Sequence, residues 1–369
     1  MEINISREKL LAAARMVGKI TPTKKGKPAM GWFLMEATRG GALRVTGTDM
    51  NGTMSAIVEC ISVEDDVSAC VDAKQLTRIV AEVPDQPLTL RFGERSVTLE
   101  YFGGNFEIPV YPAAEFPRRV VEEKVVRLPV KVETVLEGIN QVLECAGNDE
   151  LRPVMSGVLV ELKGATLTFV ASNGHLLSFK ETAYLGGDEV SAIIPRSAAR
   201  LLVEMLSREE NGAEVELELG NKRVAVETGD YNLSYRLAEG IYPNYRSVIP
   251  ENDKEVEVDV AWLSAAIKRV SILSGTKDRY PLLKMNFDGD TLTMTSGSPD
   301  NGTSSREEAV LRTGWELEIG FNPDHVRLLL GLMTTEKCVL SFSAPSRPMI
   351  ITPSGVKGVV SILMPMLLD

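Results

Sequence analysis

One pattern recurs three times along the chain, and it limits the possible folds more than any other feature. A helix-like segment, SREKLLAAARMVGKI at 6–20, returns as VKVETVLEGINQVLECAG at 130–147 and as DVAWLSAAIKRVSILSG at 259–275. Each copy continues into an alternating strand that ends in a polar turn: ALRVTGTDMNG from 42, TLTFVASNGHLL from 166 and TLTMTSGSPDNG from 291. Leu43, Leu167 and Leu292 hold the same place in the three copies. A second helix follows at 71–84, 194–206 and 322–333, and then closing hairpins at 88–110, 215–237 and 339–366. Five landmarks recurring in one order mean tandem copies of a single unit of about 120 residues, not one large core.

Charged stretches separate the copies: RRVVEEKVVRLP at 118–129 and PENDKEVEV at 250–258 read as extended linkers. The expected repeats are therefore residues 1–120, 128–250 and 256–369. Each is α+β, two helices covering one face of antiparallel sheet.

Composition narrows the function. Of 369 residues, 40 are Lys or Arg and 51 are Asp or Glu, a net charge of -11. Such a chain does not bind nucleic acid through overall charge. The four cysteines, at 60, 70, 145 and 338, have neither metal-binding nor disulfide-framework spacing. They read as free thiols of a reducing cytoplasm. The N-terminus carries no basic segment followed by a clean apolar core, and no apolar run is long enough to span a membrane. The expectation is a cytoplasmic protein, neither secreted nor membrane-bound, in which NGT at 51 and 301 marks turns.

Leu10, Ala14 and Val17 form one stripe of the first helix, with Arg15 and Lys19 on the other side. Lys24, Lys25 and Lys27 carry the positive charge onward, and Arg196, Arg200, Lys268, Arg269, Lys277 and Arg279 sit in or beside later helices. A single cation of this kind is usually a solvated surface group. Recurrence on equivalent helices instead points to one basic face on an acidic protein.

With these motifs in view the chain resembles the bacterial sliding clamps, the beta subunits of DNA polymerase III, over its whole length. The resemblance rests on the three repeats and on RPVMSGV at 152–158, ASNGHLL at 171–177, YPNYRSVIP at 242–250, VSILSG at 270–275 and MPM at 364–366. It implies three tandem clamp repeats per chain and two chains closing head to tail into a six-repeat ring around duplex DNA. The function implied is that of a processivity factor with no catalytic site and no cofactor or metal. DNA-facing roles fall to Arg15, Lys24, Lys25, Lys74 and Arg196. The subunit interface falls to Phe106 and Ile108 against Ile272 and Leu273, with Glu307 and Glu308 available to Lys74, which thus has two possible places.

The resemblance also implies a peptide pocket between the second and third repeats. Its lining would be Met155, Ser172, Gly174, His175, Leu176, Leu177, Tyr242, Pro243, Val248, Ile362, Met364, Pro365, Met366 and Leu367. Met-rich walls suit many related peptides because Met repacks easily. The implied partners are the polymerase III alpha subunit, the clamp loader, other polymerases and mismatch-repair proteins. The chain departs from the common pattern at Asn173, Leu176, Ser247 and the final Leu367-Leu368-Asp369, so an oilier, less cationic rim is expected.

Rival readings are weaker. His175 beside Ser172 suggests a nucleophile and base, but Asn173 is no orienting acid and the matching turns of the other repeats have no His. His325 opens a helix and reads as a capping-region or surface residue. Two histidines and scattered cysteines do not suggest a metal site, and no GxxxxGK[ST] loop exists for nucleotide. A three-repeat scaffold that binds proteins without enclosing DNA is the remaining alternative. In the tail ILMPMLLD, Ile362 and Leu363 would finish the last strand, and Pro365 would end the pairing. Met364, Met366 and Leu367 would then be left as one wall of a partner site.

Overall fold

A computed structural model of the chain describes residues 1–22, 28–117, 125–149, 151–273, 281–298 and 302–368. Lys24 and Lys25, with Lys277 and Arg279, lie outside the described residues.

The element order repeats as the sequence does. The first repeat runs β1 (Glu2–Ser6), α1 (Arg7–Val17), β2 (Trp32–Ala37), β3 (Leu43–Thr48), β4 (Gly52–Val58), the short β5 (Ser62–Val63), β6 (Val67–Asp72), α2 (Ala73–Glu82), β7 (Pro87–Phe92), β8 (Ser96–Tyr101) and β9 (Gly104–Pro112). The second runs β10 (Val125–Lys131), α3 (Val132–Val142), β11 (Gly157–Lys163), β12 (Thr166–Ser172), β13 (Leu176–Ala183), β14 (Val190–Pro195), α4 (Arg196–Leu206), β15 (Glu214–Gly220), β16 (Arg223–Glu227) and β17 (Tyr231–Arg236). The third runs β18 (Lys254–Asp259), α5 (Val260–Val270), β19 (Leu283–Asp288), β20 (Thr291–Ser298), β21 (Thr303–Val310), β22 (Glu316–Phe321), α6 (Pro323–Gly331), β23 (Lys337–Phe342), β24 (Met349–Pro353) and β25 (Val359–Leu363).

Local chemistry explains the helix starts. Asp72 accepts from the Gln75 amide at 2.7 Å, Asp259 from the Trp262 amide at 2.6 Å, and Asn322 from the Asp324 amide at 2.9 Å. Each supplies an acceptor that the first helical turn lacks. Pro323 at the start of α6 loses no hydrogen bond there. On α1 the expected stripe is the buried one: Leu10, Ala14 and Val17 are fully enclosed while Arg15 is exposed.

The chain packs into two compact units, one of residues 1–136 and 197–237 and one of 137–196 and 238–369. The first unit holds a 13-stranded antiparallel sheet in the order β10-β15-β16-β17-β4-β3-β2-β6-β9-β8-β7-β1-β5. Strands of the first and second repeats meet in it at β17 and β4, with Tyr231 opposite Ala56 and Tyr235 opposite Gly52. The second unit holds an eight-stranded sheet, β14-β11-β12-β13-β25-β24-β23-β18, and a four-stranded one, β21-β20-β19-β22. In the eight-stranded sheet the second and third repeats meet at β13 and β25, with Leu177 opposite Ile362.

A rule emerges from these joins. The third strand after a repeat's first helix pairs with the last strand of the following repeat: β4 with β17, and β13 with β25. The counterpart in the third repeat, β21, pairs only with β20 among the described residues. The last strand of the first repeat, β9, pairs with β8 through Gly104–Pro109 and reaches β6 only at Val110–Pro112. One side of its first half is therefore open among the described residues.

Candidate functional site

The residues expected to line a peptide pocket all belong to the second compact unit. At its centre is the turn between β12 and β13. The Ser172 hydroxyl donates to the Leu176 carbonyl at 2.7 Å, and the Asn173 carboxamide oxygen accepts from the His175 amide at 2.9 Å and the Leu176 amide at 2.8 Å. Gly174 takes φ +91° in this turn, a conformation that suits glycine. Ser172 is buried and its proton is committed to the turn, so it is not a nucleophile activated by His175.

β25 lies against β13, and the tail continues past it. The Met364 amide donates to the His175 carbonyl at 2.9 Å, and the Met366 amide donates to the Gly320 carbonyl at 2.8 Å. Pro365 between them donates nothing, and the tail crosses there from the eight-stranded sheet to β22, where Gly320 and Met366 form an isolated bridge. A side chain at Gly320 would meet the Leu368 methyl at 2.7 Å, so the glycine is what lets the tail lie close.

Beneath the turn is an apolar cluster of Leu159, Val170, Leu177, Phe179, Ile193, Tyr245 and Ile362, with Val154, Tyr242 and Ile249 packed against it. Ser172, Leu176, Leu177 and Ile362 are buried; Met155, Tyr242, Pro365 and Met366 are half-buried; Gly174, His175, Pro243, Val248, Met364 and Leu367 are exposed. Leu176, expected to make the rim oilier, is only 2% exposed. It lies opposite Leu363 in the sheet and forms floor, not rim. The oily surface comes instead from Leu367, Val248 and Met364, which are 85%, 50% and 42% exposed. Tyr242 places its hydroxyl in the interior beside the Ser172 backbone with no hydrogen bond of normal geometry, and burial raises its pKa.

The expected DNA-facing cations differ among themselves. Arg15 on α1 and Lys74 on α2 are exposed. Arg196 is not a free cation: its side chain is 19% exposed, and its guanidinium donates to the Ala146 carbonyl and the Glu144 carboxylate, each at 2.5 Å. It braces the start of α4 against the turn that follows α3.

The expected interface residues also separate. Phe106 is partly exposed and stacks on Tyr101 at 5.9 Å, but Ile108 is fully buried. Ile108 is core of the first unit and offers a neighbour only its backbone. Ile272 and Leu273, just past α5, are 70% and 45% exposed. The Thr303 hydroxyl at the start of β21 donates to the Leu273 carbonyl at 3.4 Å, which ties this apolar pair to the open strand. Glu307 is held by Arg269 through two hydrogen bonds, at 3.0 and 2.5 Å, and Arg269 holds its carboxyl below the usual carboxylate range. Glu308 pairs with Arg306. Both acids thus have partners in their own chain.

Sequence reasoning missed Gly320 and Asn322, and read His325 only as a capping-region or surface residue; its amide does donate to the Asn322 side chain, at 3.3 Å. Gly320 and His325 meet the pocket candidates only through long-range folding, and no local pattern marks them. The rings of His175 and His325 have centres 6.2 Å apart. Burial, then the neighbouring His175, lowers the pKa of His325.

Burial raises the Cys145 thiol to about 12 and the Cys70 and Cys338 thiols to about 11, far from a reactive thiolate. Among the described residues no three metal-binding side chains converge, and no helix is long and apolar enough to cross a membrane.

Known proteins give the same picture. Three family models match in tandem: the DNA polymerase III beta subunit N-terminal domain at 1–120, its central domain at 129–244 and its C-terminal domain at 246–367. The beta sliding clamp of Escherichia coli strain K12 is 25% identical, over 99% of this chain and 100% of that protein. That of Synechococcus elongatus is 24% identical over 99% of both. A solved structure, the sliding clamp of Pseudomonas aeruginosa bound to griselimycin, covers 100% of both chains at 25% identity with a TM-score of 0.94.

Proposed function

The chain belongs to the DNA polymerase III beta subunit family, and from that premise we propose how its open strand edges and its C-terminal tail serve a sliding clamp. Its function is that of a non-catalytic processivity subunit in DNA replication. DNA and polymerase are its partners as a member of that family.

The ring follows from the pairing rule. Each repeat's open strand is satisfied by the last strand of the next repeat, and among the described residues one chain leaves an edge of β21 and of the first half of β9 unmatched. Exposed backbone donors and acceptors of this kind are a template for pairing with another chain. A second copy whose β21 runs along β9 extends the rule between chains, and two such joins close six repeats. Ile272, Leu273 and Phe106 supply the apolar contact beside the joined strands. Ile108 contributes backbone, with its side chain in the core.

Enclosure removes the need for tight phosphate contacts, which fits a net charge of -11. We assign DNA-facing roles to the exposed Arg15 and Lys74 and, from the sequence alone, to Lys24 and Lys25. Arg196 acts on helix position.

The tail is a docking wall. Met364 and Met366 are held against the β12–β13 turn and β22 by one backbone hydrogen bond each, Leu367 follows them exposed, and Tyr242 packs on the apolar cluster. Short apolar peptides of the polymerase alpha subunit, the clamp loader, other polymerases and mismatch-repair proteins would compete for this surface. The repeats of this assembly lie close to 1–120, 128–250 and 256–369, with β10 and β18 beginning slightly ahead of the second and third bounds, at Val125 and Lys254.

The open edge of β21 is the observation that carries the ring reading, and hydrogen exchange tests it. In the assembled protein, alternate amides of Gly104–Ile108 and Thr303–Val310 should exchange slowly although one chain alone leaves them unpaired. Rapid exchange along both edges would contradict the strand-to-strand join.

A further inference from the structure

We propose that His175 and His325 form a two-imidazole binding site for a divalent transition-metal ion of the Zn2+ and Cu2+ class. The chain has two histidines, and no spacing in the sequence relates them. Folding brings them together: one sits in the β12–β13 turn, the other in the first turn of α6. Their ring centres are 6.2 Å apart with the planes inclined at 31°.

That separation suits a shared ion. Imidazole nitrogens bind Zn2+ at about 2.0–2.1 Å, which puts the centres of two coordinating rings roughly 5–6.5 Å apart, depending on the angle at the metal. At the tetrahedral angle of a zinc site the centres lie near the lower end of that range, so the two rings must close by about 1 Å on binding. Among the described residues no hydrogen bond commits a nitrogen of either ring. His175 is exposed and His325 half-buried, so both are open to solvent on at least one side.

The backbone on each side is already fixed. The Asn173 carboxamide holds the His175 amide at 2.9 Å, and the His175 carbonyl receives the Met364 amide at 2.9 Å. Asn322 accepts from the His325 amide at 3.3 Å. Ordering the ligands beforehand lowers the entropy cost of binding. Two protein ligands leave the other positions to water or to a carboxylate or thiolate of another molecule. This is the open type of site, not the closed structural one.

With two histidines in the chain, the imidazole carbon-bound proton spectrum has two sets of resonances, so the test is direct. Zn2+ added to metal-stripped full-length protein should shift both sets together, saturating at one ion per chain. Affinities should follow Co2+ < Ni2+ < Cu2+ > Zn2+. H175N and H325N should each weaken Zn2+ binding by roughly 10- to 100-fold, as expected when a chelate loses one arm. In each variant the surviving ring should lose most of its response, and an unchanged thermal melt before metal addition reports that the fold is intact. Movement of one ring alone, or a Zn2+ affinity unchanged in H325N, would overturn the proposal. The measurement needs neither peptide nor DNA, so its failure would leave the pocket reading standing.

Discussion

Replacing Gly320 tests whether the tail is a wall held in place. A Cβ there would lie 2.7 Å from Leu368 Cδ2, 2.9 Å from Leu282 Cδ1 and 3.1 Å from the Met366 carbonyl oxygen. In Gly320→Ala the two leucine ends can rotate away, and the Met366 carbonyl has only to yield slightly. In Gly320→Val two further methyl groups enter the same space, and the strain reaches about 1–3 kcal/mol. Releasing the tail avoids that strain at the loss of the Met366 to Gly320 hydrogen bond, about 1 kcal/mol. The tail should therefore detach, and a peptide that needs it must restore the strained position. Restoring it costs the strain less the regained hydrogen bond, up to about 2 kcal/mol, which raises Kd by up to about 30-fold. Fluorescence anisotropy with a labelled polymerase alpha-subunit peptide should rank affinity as wild type, Ala, then Val, with the assembly state by light scattering unchanged. Wild-type affinity in Gly320→Val, with the Met366 amide still protected from exchange, would refute the reasoning.

Other perturbations separate the remaining roles. Ile272→Ala with Leu273→Ala should give monomers by light scattering, at a cost bounded by about 4–10 kcal/mol of large-to-small packing; a dimer of unchanged affinity would reject the interface. Deleting Met364–Asp369 should abolish peptide binding and spare the dimer, and equal peptide affinity in the truncated protein would reject the pocket. Arg196→Gln should lower folding stability by about 1.5–3 kcal/mol in urea melts, because a charged hydrogen bond to a backbone carbonyl is lost. The salt dependence of its DNA contact should not change. Arg15→Ala and Lys74→Ala should each reduce the salt slope of DNA contact by about 0.9 if the residue meets a phosphate.

Local signals were legible in the chain, and contacts between repeats were not. The recurring helices and hairpins, the buried stripe of Leu10, Ala14 and Val17, and the closing strand with Ile362 and Leu363 are each encoded within a few residues. Helical and strand periodicity therefore reveal them. The pairing of β13 with β25 and of β4 with β17 joins distant segments whose register has no local signature.

The same limit explains the misplaced side chains. Arg196 reads as a surface cation because its partners, Glu144 and Ala146, lie in another element. Leu176 reads as rim because its burial depends on Leu363, far along the chain. Ile108 resembles an interface residue until the opposite face of β9 is seen to be core. Gly320 matters only because Met366 returns to it, and His325 only because α6 packs beside the turn of His175.

The central claim is enclosure of DNA by a closed ring, and retention on DNA of different topology tests it most directly. The protein should be loaded onto nicked circular DNA with clamp loader and ATP, freed of loader, and followed before and after the circle is cut once. A closed ring should be retained long on the circle and lost rapidly from the linear ends, with little dependence on salt while the circle is intact. Equal retention on free-ended linear DNA, or failure to be retained on circles, would contradict it and favour a scaffold that binds proteins without encircling DNA.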